Sequence, residues 1–113
     1  MKLIIAFIKP HKLSALTIAL HGIKGLSGAS ISDVRGFGRG RAKTSPDKIY
    51  YDTLDYVPGV RLEIACPDEL VEEIVSIIET KARTGLRGDG KIYVTPIDQA
   101  VRISTGEREK AAI

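Results

Sequence analysis

The stretch VRLEIACPDELVEEIVSIIETKARTGLRGDGKIYV, Val60 to Val94, holds a strand, a helix, a glycine-rich turn and a second strand in direct succession. Val60 to Cys66 is a short, largely apolar run and reads as a strand. Pro67 stands where the first turn of a helix accepts proline, and Asp68 and Glu69 suit the positive end of the helix dipole. In the helix that follows, Leu70, Ile74, Ile77 and Ile78 recur as one buried stripe, with Lys81 and Arg83 at its C-terminal end. Gly85, Gly88 and Gly90 then free the backbone for positive φ, and Asp89-Gly90 makes a tight turn. Lys91 to Ile97, β-branched and aromatic, is again a strand. Cys66 reads as a small buried residue rather than a nucleophile.

Working outward, KLIIAFI (residues 2–8) is a continuous apolar run, the mark of a buried strand, and Lys9-Pro10 ends it. From His11 to Ile23, Leu13, Leu16, Leu20 and Ile23 recur at helical spacing. Ala29 to Phe37 reads as a second strand. Gly38 to Pro58 is polar, carries Pro46 and has no helical period, so it is a long loop inside the domain. Ala100 to Thr105 is expected to pair at a sheet edge. The order is therefore β-α-β-β-α-β, an α+β ferredoxin-like sandwich with both helices on one face of a four-stranded sheet. LIIAFI is apolar on both sides, which implies association through the open face. Such a fold hosts many functions, so fold alone decides nothing.

At 113 residues the chain is one domain, 1–113, with 43% hydrophobic and 27% charged residues, the balance of a soluble globular protein. A single cysteine excludes an internal disulfide and cannot build a zinc site alone. The apolar run at the N-terminus is too short for a signal peptide core, and no stretch approaches the ~20 apolar residues of a membrane span. A cytoplasmic protein without membrane insertion is expected. The net charge of +3 suits polyanions without indicating nucleic acid.

Chemistry concentrates in two glycine-basic segments. In TGLRGDGKIYV (Thr84 to Val94), successive N–H groups can form a concave anion site with Lys91 at its rim. An ordinary Asp-Gly hairpin turn reads equally well from this segment alone. The spacing and the missing Lys-Ser/Thr ending exclude a Walker loop. A second segment of the same character, VRGFGRGRAK (Val34 to Lys43), shifts the balance towards an anion site. The long loop it opens carries Tyr50, Tyr51 and Tyr56, which favour a protein contact, although Tyr56 has the alternative of packing at the loop base.

KPHKL at Lys9 to Leu13, VRGFGR at Val34 to Arg39, RLEIAC, TGLRGDGKIYV and the ending VRISTGEREKAAI together resemble the PII signal-transduction proteins, essentially end to end except at the loop's centre. The resemblance implies a homotrimer with projecting loops and an ATP or ADP site in each cleft between subunits. It implies a non-enzymatic regulator of a protein target such as a membrane transporter, docked through the loop at 38–58. Carried over by position, Gly36, Gly38 and Arg39 approach the phosphates from the loop's opening, and Gly88, Asp89, Gly90 and Lys91 form the phosphate turn. Arg102 reaches the phosphates from a neighbouring subunit, while Ser30, Glu63 and Ala65 surround adenine and ribose. Arg41, Lys43, Lys48, Tyr50 and Tyr51 form the partner-binding loop. The residues alone give Arg102 the alternative of a solvent-facing edge residue, and Glu63 that of a surface partner for Lys or Arg.

Departures from the family pattern are informative. Gly40 stands where the family has a glutamine that completes a magnesium–ATP–2-oxoglutarate site, and Gly59 where it has a lysine, although Lys9 is retained. Magnesium and the oxoacid are thus not expected to bind as in standard members. The uridylylated tyrosine aligns with Asp52, next to Tyr51, and a second arginine is replaced by Ser104. No metal ligand set is implied. Two rival classes share the fold. An acylphosphatase-type enzyme would need an asparagine, which the chain lacks. An RNA-binding module would need stacking aromatics on central strands, where only Phe7 and Tyr93 offer themselves.

Overall fold

A computed structural model describes residues 1–38 and 56–113. Strands β1 (Lys2–Ile8), β2 (Ser30–Gly36), β3 (Val57–Cys66) and β4 (Lys91–Pro96) form one sheet in the order β2-β3-β1-β4. All three pairings are antiparallel. Helices α1 (Leu13–His21) and α2 (Val71–Ala82) follow β1 and β3, each after a single 3₁₀ turn. This is the β-α-β-β-α-β order expected from the sequence. Pro10 opens the 3₁₀ turn Pro10–Lys12 and Pro67 caps the turn Asp68–Leu70, where the missing N–H costs nothing.

Alternation along the two central strands builds the core. Ile4, Ala6 and Ile8 of β1 and Val60, Leu62, Ile64 and Cys66 of β3 are buried with Leu16, Leu20, Ile23, Ile74, Ile78 and Ala82 from the helical layer. Fully burying an aliphatic side chain of this size contributes about 1.5–3 kcal/mol. Leu70 and Ile77, expected in the α2 stripe, pack at its margin, and Ala82 extends it by a turn. Burial pushes the Cys66 thiol up and leaves it inert at neutral pH.

The opposite face is mixed. Leu3, Ile5 and Phe7 of β1 are half-buried there, but β3 presents Arg61 and Glu63, paired at 2.9 Å. The Arg61 guanidinium lies 5.8 Å from the centre of the Phe7 ring. Apolar character on both faces therefore belongs to β1, while β3 alternates.

Two expectations need correction. Residues 100–105 are not an edge strand; one bridge, Val101 to Arg108, closes a local turn. Gly106 at φ +74° turns the chain, and Gly106 N donates to Arg102 O (2.8 Å), Arg102 N to Glu107 O (2.9 Å) and Glu109 N to Ala100 O (2.8 Å). These bonds fold the segment back on residues 106–109, so it runs as a turn and not along the sheet. The long loop also ends earlier than Pro58, because β3 starts at Val57 and pairs Pro58 with Arg35 and Val57 with Gly36. The β1 partner reaches only Val60, so Pro58 sits where one flank of the strand carries no ladder. Among the described residues, no helix is long and apolar enough to cross a membrane.

Candidate functional site

Antiparallel order brings the C-terminal ends of β1 and β2 and the N-terminal ends of β3 and β4 to one end of the sheet. A cleft of about 860 Å³ opens there, within the range of ligand pockets. Its walls are Phe7 to Lys9, Val34 with Gly36 to Gly38, Val57 to Gly59, and Gly88 to Lys91 with Tyr93. The two glycine-basic segments, remote in sequence, thus share one cavity.

The turn before β4 is shaped by tight constraints. Gly90 has φ +102°, and a Cβ built on it would lie 1.6 Å from the Phe7 carbonyl oxygen, so only glycine fits. Asp89 is fastened inward. Its Oδ2 accepts from the backbone N–H of Thr84 (2.8 Å) and of Gly85 (3.0 Å). Its Oδ1 accepts from the Thr84 hydroxyl and pairs with Lys9 Nζ at 3.1 Å. The Thr84 hydroxyl and amide, then Lys9 and the Gly85 amide, hold the Asp89 carboxyl well below the usual carboxylate range. Lys91 is exposed at the cleft and makes no ion pair with another described residue.

The remainder of the wall is apolar. Phe7 and Tyr93 meet edge-on at 6.4 Å between ring centres, and Phe37 meets Tyr56 in the same manner at 5.3 Å. Tyr56 thus packs at the loop base, the alternative left open by the sequence. An apolar wall facing a glycine turn with a lysine at its rim suits a ligand with a flat apolar part and an anionic part. Among the described residues, no three His, Cys, Asp or Glu side chains gather to hold a metal.

Residues 1–107 match the family model described as nitrogen regulatory protein P-II. Curated relatives of that description are 42% identical in Azospirillum brasilense, 44% in Haemophilus influenzae and 43% in Rhodospirillum rubrum. Each match covers 113 residues, the full length of both proteins. The chain belongs to the P-II nitrogen regulatory protein family. P-II proteins are regulatory signal transducers, not enzymes, so the acylphosphatase alternative falls away.

Of the residues expected at the P-II site, Gly36, Gly38, Gly88, Asp89, Gly90 and Lys91 line the cleft. Ser30, Glu63 and Ala65 do not. Ser30 and Glu63 are cross-strand partners further along the open face, and Glu63 accepts from Arg61 Nε. Arg102 lies in the C-terminal turn, its Nε 3.9 Å from Glu107 Oε1, and lines no part of this chain's cleft. Arg39, Arg41, Lys43, Lys48, Tyr50 and Tyr51 lie outside the described residues. Lys9 and Thr84 were missed as shapers of the turn, although both were legible: a lysine closing a buried strand and a threonine opening a glycine turn. The aromatic wall from Phe7, Phe37 and Tyr93 was missed as well.

Proposed function

We propose that this P-II protein senses adenine nucleotides and controls a protein target through the loop that spans 38–56, between β2 and β3. It acts as a homotrimer with one ATP or ADP site in each cleft between subunits. The observation that carries the reading is the meeting of Gly36–Gly38 with Gly88–Lys91 on one cleft. There backbone can approach a polyphosphate closely, with Lys91 as its main counter-charge and the aromatic wall beside the nucleoside. Arg102 stands outside its own chain's cleft, which fits a residue that reaches the site of a neighbouring subunit. Ser30, Glu63 and Ala65 share the open sheet face with Leu3, Ile5 and Phe7, where that neighbour would pack.

Gly40 and Gly59 carry no ligand atoms in their side chains, so 2-oxoglutarate and magnesium are not held as in standard members. The loop, with Arg39 at its base and Arg41, Lys43, Lys48, Tyr50 and Tyr51 beyond, docks on the target, a membrane transporter met from the cytoplasm. ATP and ADP favour different loop states because they differ in contacts at the loop's base.

Calorimetry tests the reading. ATP and ADP should each bind at one site per subunit, and Lys91→Ala should weaken ATP by roughly tenfold or more while leaving adenosine nearly unchanged, since a charged hydrogen bond contributes about 1.5–3 kcal/mol. Absence of binding by either nucleotide at millimolar concentration refutes it.

A further inference from the structure

The turn that faces the cleft is organised around a negative charge, an unexpected choice beside a site for anions. Asp89 accepts from two amides and one hydroxyl and pairs with one ammonium, so neither oxygen is left uncommitted. Thr84 is equally committed. Its hydroxyl donates to Asp89 and accepts from Lys9 Nζ (3.0 Å) and from the Leu86 N–H (3.1 Å), the full capacity of a hydroxyl. The three side chains come from three places: Lys9 from the exit of β1, Thr84 from the exit of α2, Asp89 from the approach to β4. The ion pair is mostly shielded, its side chains 21% and 26% exposed. Lys9 is neutralised locally, which leaves Lys91 as the uncommitted lysine among the described residues of the cleft wall.

We infer that Asp89, with Thr84 and Lys9, is a positioning brace that fixes the shape of the Gly88–Lys91 turn and does not itself touch the bound anion. This deepens the nucleotide reading and rests on it. The brace and the bare charge of Asp89 act in opposite senses. As a charge near a polyphosphate, Asp89 repels it, and removing that charge would tighten binding. As a brace, Asp89 holds glycine backbone in a conformation that free glycine would abandon, and removing it would weaken binding. The sign of one substitution therefore separates the two roles.

The experiment uses the full chain with Asp89→Asn, Thr84→Val and Thr84→Ser. Affinities for ATP and adenosine are measured by calorimetry, and exchange of the Thr84 and Gly85 amide protons by NMR without nucleotide. Asp89→Asn and Thr84→Val should each weaken ATP roughly tenfold, as expected for losing a hydrogen bond to a charged group. Adenosine affinity should change little, and Thr84→Ser should restore ATP binding. Both amides should exchange faster in Asp89→Asn. Should that variant not fold, Thr84→Val and its serine rescue decide the matter, since they leave the charge in place. Tighter or unchanged ATP binding in Asp89→Asn or in Thr84→Val overturns the inference, as does equal loss of ATP and adenosine. If the wild-type chain binds no ATP, the nucleotide reading fails by itself. The amide exchange then still judges the brace, and unchanged protection in Asp89→Asn refutes it.

Discussion

Gly90→Ala should be far more damaging than Gly85→Ala, although both lie between α2 and β4 with positive φ. Gly85 has φ +82° and a Cβ added there meets nothing within 4 Å. Gly90 has φ +102°, and its added Cβ would lie 1.6 Å from Phe7 O and 2.7 Å from Phe7 C, both backbone atoms of a central strand. The shared cost is left-handed backbone for an L-residue, about 1–2 kcal/mol. The difference between the two variants isolates the clash, which on the scale of overpacked interiors is about 1–3 kcal/mol. For a domain of this size 1 kcal/mol shifts the melting temperature by about 4 °C, so the two variants should differ by roughly 4–12 °C. Circular-dichroism melts at one fixed protein concentration measure this, the fixed concentration removing any contribution from association. Equal melting temperatures for the two variants would show that the β4 approach does not press on β1 at Phe7, and the account of the turn would fail.

The Asp89 carboxyl is depressed in the folded chain, so its contribution is fully present above the unfolded carboxylate pKa of about 4 and is lost as pH falls through the folded value. Urea midpoints measured from pH 7 to pH 2 should fall less steeply for Asp89→Asn than for wild type, and parallel acid limbs would contradict that linkage. Ile5 lies half-buried on the open face, opposite Glu63 and Tyr93, so if the proposed trimer packs through that face, wild type should sediment as about three 12.3 kDa chains and Ile5→Glu as smaller species. Unchanged sedimentation would mean that another surface carries the association. With Gly40 and Gly59 in place of side-chain ligands, 2-oxoglutarate should not raise ATP affinity in calorimetry with magnesium present. Strong synergy would refute the argument from those two glycines.

The element order was legible because each element carries its own period: continuous apolar runs for the central strands, helical spacing in α1 and α2, and glycine turns between. What the sequence hid were features decided by partners. Val57, Pro58 and Gly59 look like loop by composition, yet β2 supplies a ladder that recruits them into β3. Ala100 to Thr105 looks like a strand, yet Gly106 lets it fold back on residues 106–109 as a turn. Asp89 lines the cleft, but nothing local announces that its carboxylate reaches back to Thr84 and across to Lys9. Lining of the cleft by Gly36, Gly38 and Lys91 was readable from residue type. The aromatic wall was not, since Phe7 and Tyr93 sit inside strands, where core packing is the ordinary role of an aromatic.

Topology also says where a ligand's influence would be felt. The connection between β2 and β3 leaves the sheet at Gly36 to Gly38 and returns at Val57 to Gly59, and both ends are walls of the same cleft. Phe37 and Tyr56, one from each end, meet edge-on and draw the two ends together. A ligand seated against this wall therefore contacts the base of the connection from both sides, whatever the connection does further out. Binding energy by itself shifts no equilibrium in it; only contacts that differ between states do so. On the proposed reading ATP and ADP differ by one phosphate, and that phosphate must be felt at Gly36–Gly38, Arg39 or Lys91 for the loop to distinguish them. Hydrogen exchange across residues 38–56 with ATP, with ADP and without nucleotide should give three different protection patterns. Phe37→Ala, which removes the ring that meets Tyr56, should reduce the difference between ATP and ADP more than it reduces either affinity. Identical protection in all three conditions for the wild-type chain would separate nucleotide binding from loop control and leave the cleft without a route to a partner.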